Sequence, residues 1–499
     1  MTAEMLILLS MVIPSVGAAL IALTGASPNL RETVTLTAAG ALFLVVLLLL
    51  GRVLDGARPE VDVFQIVPGL TLAFEVEPLG MLFAAVAATL WIVNSIYSIG
   101  YMRGNDEPRQ TPFYVCFAIA LASTMGVAFA ANLFTLFLFY EILTLSTYPL
   151  VTHKADEKAM IGGRVYLVLL LGTSMVLFLP AIIATGVIAG SLDFTPGGLL
   201  AGKAEGPVVA ILLALYVFGI GKAALMPLHF WLPAAMVAPT PVSALLHAVA
   251  VVKAGVFTVS KVVIYVFGLD FLRETGAGQW LVFVAAFSLI AASIVALTKD
   301  NLKARLAYST VSQLAYVVLG ASFANAMGLI GSGMHIAMHA AGKITLFFCA
   351  GAIYVATYKT EISDMAGIGR IMPVTMFAFL IGSLSIIGLP PLGGTWSKWF
   401  IAAGAVDSGH LFVLGVLVVS SLLNIAYLMP VVVRGYLLPP PGMAPGEKVR
   451  INEAPFACVA GLSVTALLCL VLFFQAGAIE ELLAGAVSQS KSSVAGGAF

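Results

Sequence analysis

Three residues able to exchange protons, His335, His339 and Lys343, recur at i, i+4 and i+8 in the apolar run GMHIAMHAAGKITLFF. On a helix that spacing stacks them along one face. A second set lies in APTPVSALLHAVAVVKAG, where His247 and Lys253 are six residues apart and so about 120° apart around a helix. They cannot share one narrow face, but they can border a common cavity, with Ser243 one turn before His247. Two further lysines, Lys222 in LYVFGIGKAALMPLHFWLP and Lys398 in IIGLPPLGGTWSKWF, sit beside glycines and prolines that break helices. The acid among these groups is Glu141, in FYEILTLSTYPLVTH.

The chemistry that suits this set is proton transfer. Desolvation draws a lysine down from about 10.4 and histidine starts near 6.5, so both types exchange protons near neutral pH when buried. Glu141 paired with Lys222 would leave both charged, and opening the pair would favour neutral forms of both, which makes it a switch for the next lysine. Five unpaired charges at the centre of a bilayer would cost roughly 12–18 kcal/mol, so pairing or water-lined burial is required. Histidines at i, i+4 also suit zinc, and buried structural histidines are a further reading. The HIAMH segment lacks the glutamate that an HExxH metalloprotease uses as its base.

The elements that must position these residues are membrane spans. Of 499 residues 61% are hydrophobic and 10% charged, and the mean hydropathy is +1.07; that composition excludes a soluble globular protein. The formal net charge of zero argues against a polyanionic partner, nucleic acid included. The four cysteines, Cys116, Cys349, Cys458 and Cys469, form no CxxC. No iron–sulfur, haem or metal site is read from the chain, so no cofactor is expected. Met5 to Leu23 follows Glu4 without a basic leader and reads as the first span rather than a signal peptide.

About 20 apolar residues cross a bilayer, which gives about fourteen spans. They lie near 4–24, 33–54, 78–101, 112–130, 133–152, 163–189, 207–231, 240–266, 279–298, 304–322, 327–357, 373–404, 408–437 and 454–478. The fold expected is therefore an all-α polytopic membrane protein forming one membrane domain. The seventh and twelfth spans are each interrupted and each carry one lysine. Lying five spans apart, they have opposite orientations, the mark of an inverted repeat. Alternate loops differ in basic residues: one set holds Arg31, Arg103, Arg109, Lys154, Lys158, Arg164, Lys299, Lys303, Arg305, Lys359, Arg370, Arg434, Lys448 and Arg450. The other holds Arg52, Arg58, Lys203, Lys261, Arg273 and Lys491. The richer set should face the cytoplasm, with both termini outside. The acidic stretch Asp55 to Glu77 reads as a solvated outer loop, and Pro439 to Pro445 as a loop with polyproline II character.

Taken together, FYEILTLSTYPLVTH, GKAALMPLHFWLPAAMVAPTPVSALLHAVAVVKAG, DNLKARLAYSTVSQL, HIAMHAAGK and LPPLGGTWSKWF resemble the antiporter-like subunits shared by Mrp-type sodium/proton antiporters, respiratory complex I and membrane-bound hydrogenases. The resemblance covers essentially the whole chain, and within the family it is greatest to the D-type Mrp subunit. It implies fourteen helices with two inverted five-helix repeats, spans four to eight (112–266) and nine to thirteen (279–437), flanked by three N-terminal helices (1–111) and a last helix (454–478). It implies a proton relay in which Glu141 pairs with Lys222. Lys253, His247, His335, His339 and Lys343 form its hydrated axis and Lys398 its terminal group. It further implies a transporter subunit in a bacterial cell membrane rather than an enzyme. Its partners would be Mrp-type A, B, C, E, F and G subunits, with sodium crossing in another subunit. The alternative within the family is a proton-pumping arm of a complex I-type oxidoreductase or a membrane-bound hydrogenase.

Overall fold

The computed structural model describes residues 1–67, 69–440 and 450–490. Pro441, Gly442, Pro445, Lys448 and Lys491 lie outside the described residues. The N-terminal spans are α1 (Ala3–Leu23), α2 (Pro28–Leu54) and α3 (Pro78–Gly104). Then come α4 (Gln110–Ala128), α5 (Leu133–Val151), α6 (Glu157–Ala189), α7 (Gly206–Gly219) and α8 (Thr240–Phe267). The second half has α9 (Gln279–Leu297), α10 (Leu302–Ser322) and α11 (Ala326–Thr357). It continues with α12 (Pro373–Ile387), α13 (Gly394–Asp407), α14 (Phe412–Leu437), α15 (Phe456–Phe474) and α16 (Ala476–Ser490).

Eleven of these helices are long and apolar enough to cross a membrane. The remaining three of the fourteen expected crossings are α10, whose polar residues lower its hydropathy, and the two interrupted spans begun by α7 and by α12. Their breaks fall where glycine and proline placed them. α7 ends at Gly219, a single 3₁₀ turn holds Gly221–Ala223, and a short helix resumes at Trp231; α12 ends at Ile387 and α13 begins at Gly394.

Local chemistry fixes the helix starts that matter for the interior. The Asn132 side chain accepts from Thr135 N at 2.8 Å to cap α5, Asn301 caps α10 through Ala304 N at 3.1 Å, and Asn325 caps α11 through Gly328 N at 2.8 Å. The most apolar stretches of α8 and α11 are wholly buried, whereas those of α1, α2, α14 and α15 are mostly open to the surroundings. The two helices that carry most of the ionisable residues therefore form the central column, screened from lipid by the others.

The acidic stretch Asp55 to Glu77 is exposed over most of its first half, as a solvated segment should be, but it is not an irregular loop: it forms an antiparallel hairpin of β1 (Glu60–Val67) and β2 (Leu70–Glu75) beside the helices. Its base is drawn inward, because Glu75 N donates to Phe129 O at 2.7 Å and Ala131 N to Ala73 O at 3.1 Å, tying it to the α4–α5 turn. Glu77, 3% exposed, pairs with Lys261 at 2.8 Å. Lys261 itself lies 2% exposed in α8 rather than in a loop. Beyond the last span, α16 packs back against α3 and α11.

Candidate functional site

The ionisable residues singled out from the sequence are buried: Lys222, His247, Lys253 and Lys343 are 0% exposed, His339 1%, His335 2% and Glu141 8%. Lys398 is half-buried. The break after α7 places Lys222 in the 3₁₀ turn, where its backbone leaves the helical ladder. Gly255 of α8 packs against that turn so closely that a Cβ would stand 2.2 Å from Ala223 N and 2.3 Å from the Lys222 carbonyl carbon. The column and the break are thereby in backbone contact.

From α8 a line of contacts runs across α11. The Lys253 ammonium meets His339 Nδ1 at 2.5 Å. The His339 and His335 rings stack with centroids 5.7 Å apart, as the one-turn spacing requires. His335 Nδ1 lies 2.9 Å from Ser397 Oγ on α13, and Ser397 precedes Lys398 in the chain. The Lys398 ammonium turns back to the free carbonyls that end α12, donating to Ile386 O at 2.9 Å and Ile387 O at 2.8 Å. These are the carbonyls a helix terminus leaves without intrahelical partners. Lys343 leaves the stripe: its ammonium donates to Ser309 Oγ at 2.6 Å and Leu306 O at 3.3 Å on α10. The three residues thus share a face of α11, yet each reaches a different neighbour. The His335 and His339 partners, a hydroxyl and an ammonium, do not make up a zinc donor set.

Glu141 and Lys222, expected to pair, make no direct ion pair. The Lys222 ammonium donates to Tyr140 O at 2.7 Å and Thr144 Oγ1 at 2.6 Å and lies 3.2 Å from the Tyr140 ring centre. Both Glu141 carboxylate oxygens lack a hydrogen-bond partner. Glu141 remains within Coulombic reach of Lys222. The direct contact goes to Tyr140 and Thr144 because these two, four residues apart, present a carbonyl and a hydroxyl together to the break. His247 sits in a π-helical segment, Leu245–Val249, and neither ring nitrogen has a partner.

Sequence reasoning missed the neutral partners Tyr140, Thr144, Ser309 and Ser397, and the Glu77–Lys261 pair. Hydroxyls adjacent to buried lysines on facing helices were the available signal. Only a known helix pairing shows which hydroxyl faces which lysine.

A family model described as NADH:quinone oxidoreductase/Mrp antiporter, TM, matches residues 130–424. The NADH-quinone oxidoreductase subunit N of Desulforudis audaxviator (strain MP104C) is 33% identical over 416 residues, covering 80% of this chain and 81% of that protein. The NAD(P)H-quinone oxidoreductase chain 5 of Synechocystis sp. (strain ATCC 27184 / PCC 6803 / Kazusa) is 31% identical over 348 residues. That is 66% of this chain and 49% of the relative, so the chain spans about half the length of this longer protein. A chain in the structure of the Mrp complex from Dietzia sp. DQ12-45-1b has a TM-score of 0.87 at 20% identity, covering 99% of this chain and 98% of its own. That likeness establishes a shared fold along the whole length.

Proposed function

The chain belongs to the NADH:quinone oxidoreductase/Mrp antiporter transmembrane family, and from that premise we propose that it is the proton-translocating subunit of a multisubunit Na⁺/H⁺ antiporter. The observation that carries the reading is the buried contact line Lys253–His339–His335–Ser397, held between two helix breaks that bear Lys222 and Lys398. Every member is a group that accepts and releases a proton or relays one through a hydroxyl. Protons move along it as charge passes from lysine to imidazole to hydroxyl, and the Glu141 charge biases Lys222.

The inverted repeats, residues 112–266 and 279–437, are supported by their breaks, after Gly219 and after Ile387, which fall in the fourth span of each five. The subunit itself performs no chemical conversion; neighbouring A-, B-, C-, E-, F- and G-type subunits carry the cation. Among the described residues no group of three or more His, Cys, Asp or Glu side chains comes together, whereas a hard cation gathers several oxygen ligands. The basic loops argue for a bacterial cytoplasmic membrane with both termini outside.

The test is sodium-driven proton movement in proteoliposomes holding the whole complex. Lys222→Ala, Lys253→Ala and Lys398→Ala should each lower the rate at least tenfold with assembly intact. Wild-type rates in all three would sink the reading. A second reading, a proton-pumping arm of a redox complex, is favoured by the 33% identity to an oxidoreductase subunit N. Flavin and iron–sulfur absorbance in the purified assembly would decide for it.

A further inference from the structure

The helix after the last span lies along two adjoining cavities. The inner one, about 260 Å³, runs between α2, α3, α11, α15 and α16, and the outer one, about 240 Å³, between the end of α2, the start of α3 and α16. Leu54 and Leu482 line both, so the two meet end to end. Together they reach the roughly 300–1,000 Å³ of small-ligand sites. From Pro78 at the outer cavity, Leu82, Ala85 and Thr89 carry one wall inward to Leu90 in helical steps of three and four. That stretch of α3 rises about 18 Å. One leaflet of hydrocarbon is about 15 Å deep, half of about 30 Å. The groove therefore has the length of one acyl chain.

The inner walls suit such a chain. Thr89, the one hydroxyl among the described lining residues, is satisfied within α3 by donating to Ala85 O at 2.7 Å. Ala337 and Ala341 of α11 close the back with small side chains. Ala337 is two residues from both His335 and His339 and so about 160° round the helix from each, which puts the groove behind the histidine stripe. α16 is a fixed wall: Leu483 fills the space over Gly333 of α11, where a Cβ would stand 2.8 Å from its methyls.

The outer cavity is polar where the inner one is not. Arg58, half-buried, stands on one side and meets Glu75 only loosely, at 3.8 Å. Its planar fork of donors fits a phosphate. On the other side Glu481, Gly485 and Ser488 follow at i, i+4 and i+7 along α16. Glu481 is exposed, and Ser488 Oγ donates to Gly485 O at 3.0 Å, which leaves its lone pairs to accept. Gly485 between them carries no side chain to block the approach.

We propose that this groove holds one phospholipid of the leaflet opposite the basic loops, with an acyl chain in the inner cavity and a phosphoethanolamine headgroup in the outer. Its phosphate rests on Arg58 and its ammonium between Glu481 and Ser488. One cation facing one acid makes the mouth neutral, as a zwitterion requires. A phosphatidylglycerol leaves Glu481 facing an anion with no counter-charge, and a choline headgroup has no N–H to donate to either acceptor. The lipid thus joins the N-terminal helices to the back of α11 and to α16.

The test uses the purified whole complex in detergent and a phosphatidylethanolamine bearing a photoreactive diazirine in one acyl chain, with adducts located by peptide mass spectrometry. Adducts should fall within 82–90 and 478–482. Unlabelled phosphatidylethanolamine should compete about fivefold better than phosphatidylglycerol or phosphatidylcholine, the worth of one exposed ion pair. Ala85→Phe, which fills the inner cavity, should remove these adducts, whereas Val418→Phe, on a side chain 60% exposed on α14, should keep them. Glu481→Lys alters an exposed side chain, puts two cations at the mouth and should turn the preference toward phosphatidylglycerol. Adducts scattered over all the outer helices, or equal competition by the three lipids, would mean an ordinary annular lipid and overturn the site. No adduct at these segments in the assembled complex would mean that a neighbouring subunit covers the groove. An unchanged preference in Glu481→Lys would overturn the headgroup assignment even if Ala85→Phe fails to assemble.

Discussion

A hydroxyl beside a buried lysine serves both protonation states: it accepts from the ammonium and donates to the neutral amine. Lys222 has Thr144 Oγ1 at 2.6 Å and Lys343 has Ser309 Oγ at 2.6 Å. Removing the hydroxyl leaves a desolvated ammonium short of an acceptor, a loss of about 1.5–3 kcal/mol for a bond to a charged group. Thr144→Val and Ser309→Ala should therefore favour the neutral amine and slow proton flux about tenfold or more, with Thr144→Ser restoring it. Equal flux in Thr144→Val and wild type would show that the hydroxyl only packs. Outside the spans, His153 lies 4.0 Å from Glu107. Burial, with Arg109 and Lys154 adding repulsion, holds its imidazole below 6.5. A lowered folded value means that the unfolded chain binds the proton first. Wild type should thus lose thermal stability as pH falls through 6.5, relative to His153→Gln; parallel melting curves from pH 7.5 to 5.5 would contradict this.

At the scale of elements, the sequence was most legible where backbone chemistry is absolute. Gly219, Gly221 and Pro227 announce one break and Pro390, Pro391 and Gly393 the other, since proline and glycine act locally whatever surrounds them. The i, i+4, i+8 stripe on α11 was equally legible, because helical periodicity needs no tertiary knowledge. Where the stripe's side chains turn was not legible. Lys343 departs to α10 and His335 to α13, choices set by which helices flank α11. The hairpin Glu60–Glu75 was lost for a related reason: its short strands are stabilised by pairing and by the α4–α5 turn, not by a strong alternation of their own. Gly255 shows how tightly such pairing is specified. A methyl there would meet the backbone of Ala223 at 2.2 Å, and backbone at a break held by Lys222 has no room to retreat. Gly255→Ala should cost about 1–3 kcal/mol by overpacking and lower both the thermal midpoint of the complex and its proton flux. Gly415→Ala on α14, where nothing lies within 4 Å, should leave both unchanged or raise the midpoint slightly. Equal behaviour of the two variants would refute the tight α8 contact.

Across the whole molecule, α8 is fastened at the end away from Lys303 by Lys261. Its ammonium pairs with Glu77 at 2.8 Å, donates to Ala130 O at 2.7 Å and lies 4.6 Å from the Phe194 ring centre. One side chain thus joins the start of α3, the α4–α5 turn, the segment before α7 and the central column. Such a pair is dear to bury: two ions leave water, and the mutual attraction repays this only while both are present. Removing either partner strands the other, at about 3–5 kcal/mol, whereas replacing both with apolar side chains is often close to neutral. Glu77→Leu and Lys261→Met alone should each lower the melting temperature of the detergent-solubilised complex and loosen the N-terminal helices from the rest, seen as faster proteolysis of the hairpin. The double variant should recover most of the melting temperature. A double variant no more stable than either single one would mean that Lys261 is held chiefly by the Ala130 carbonyl and the rings, with Glu77 incidental to the fastening.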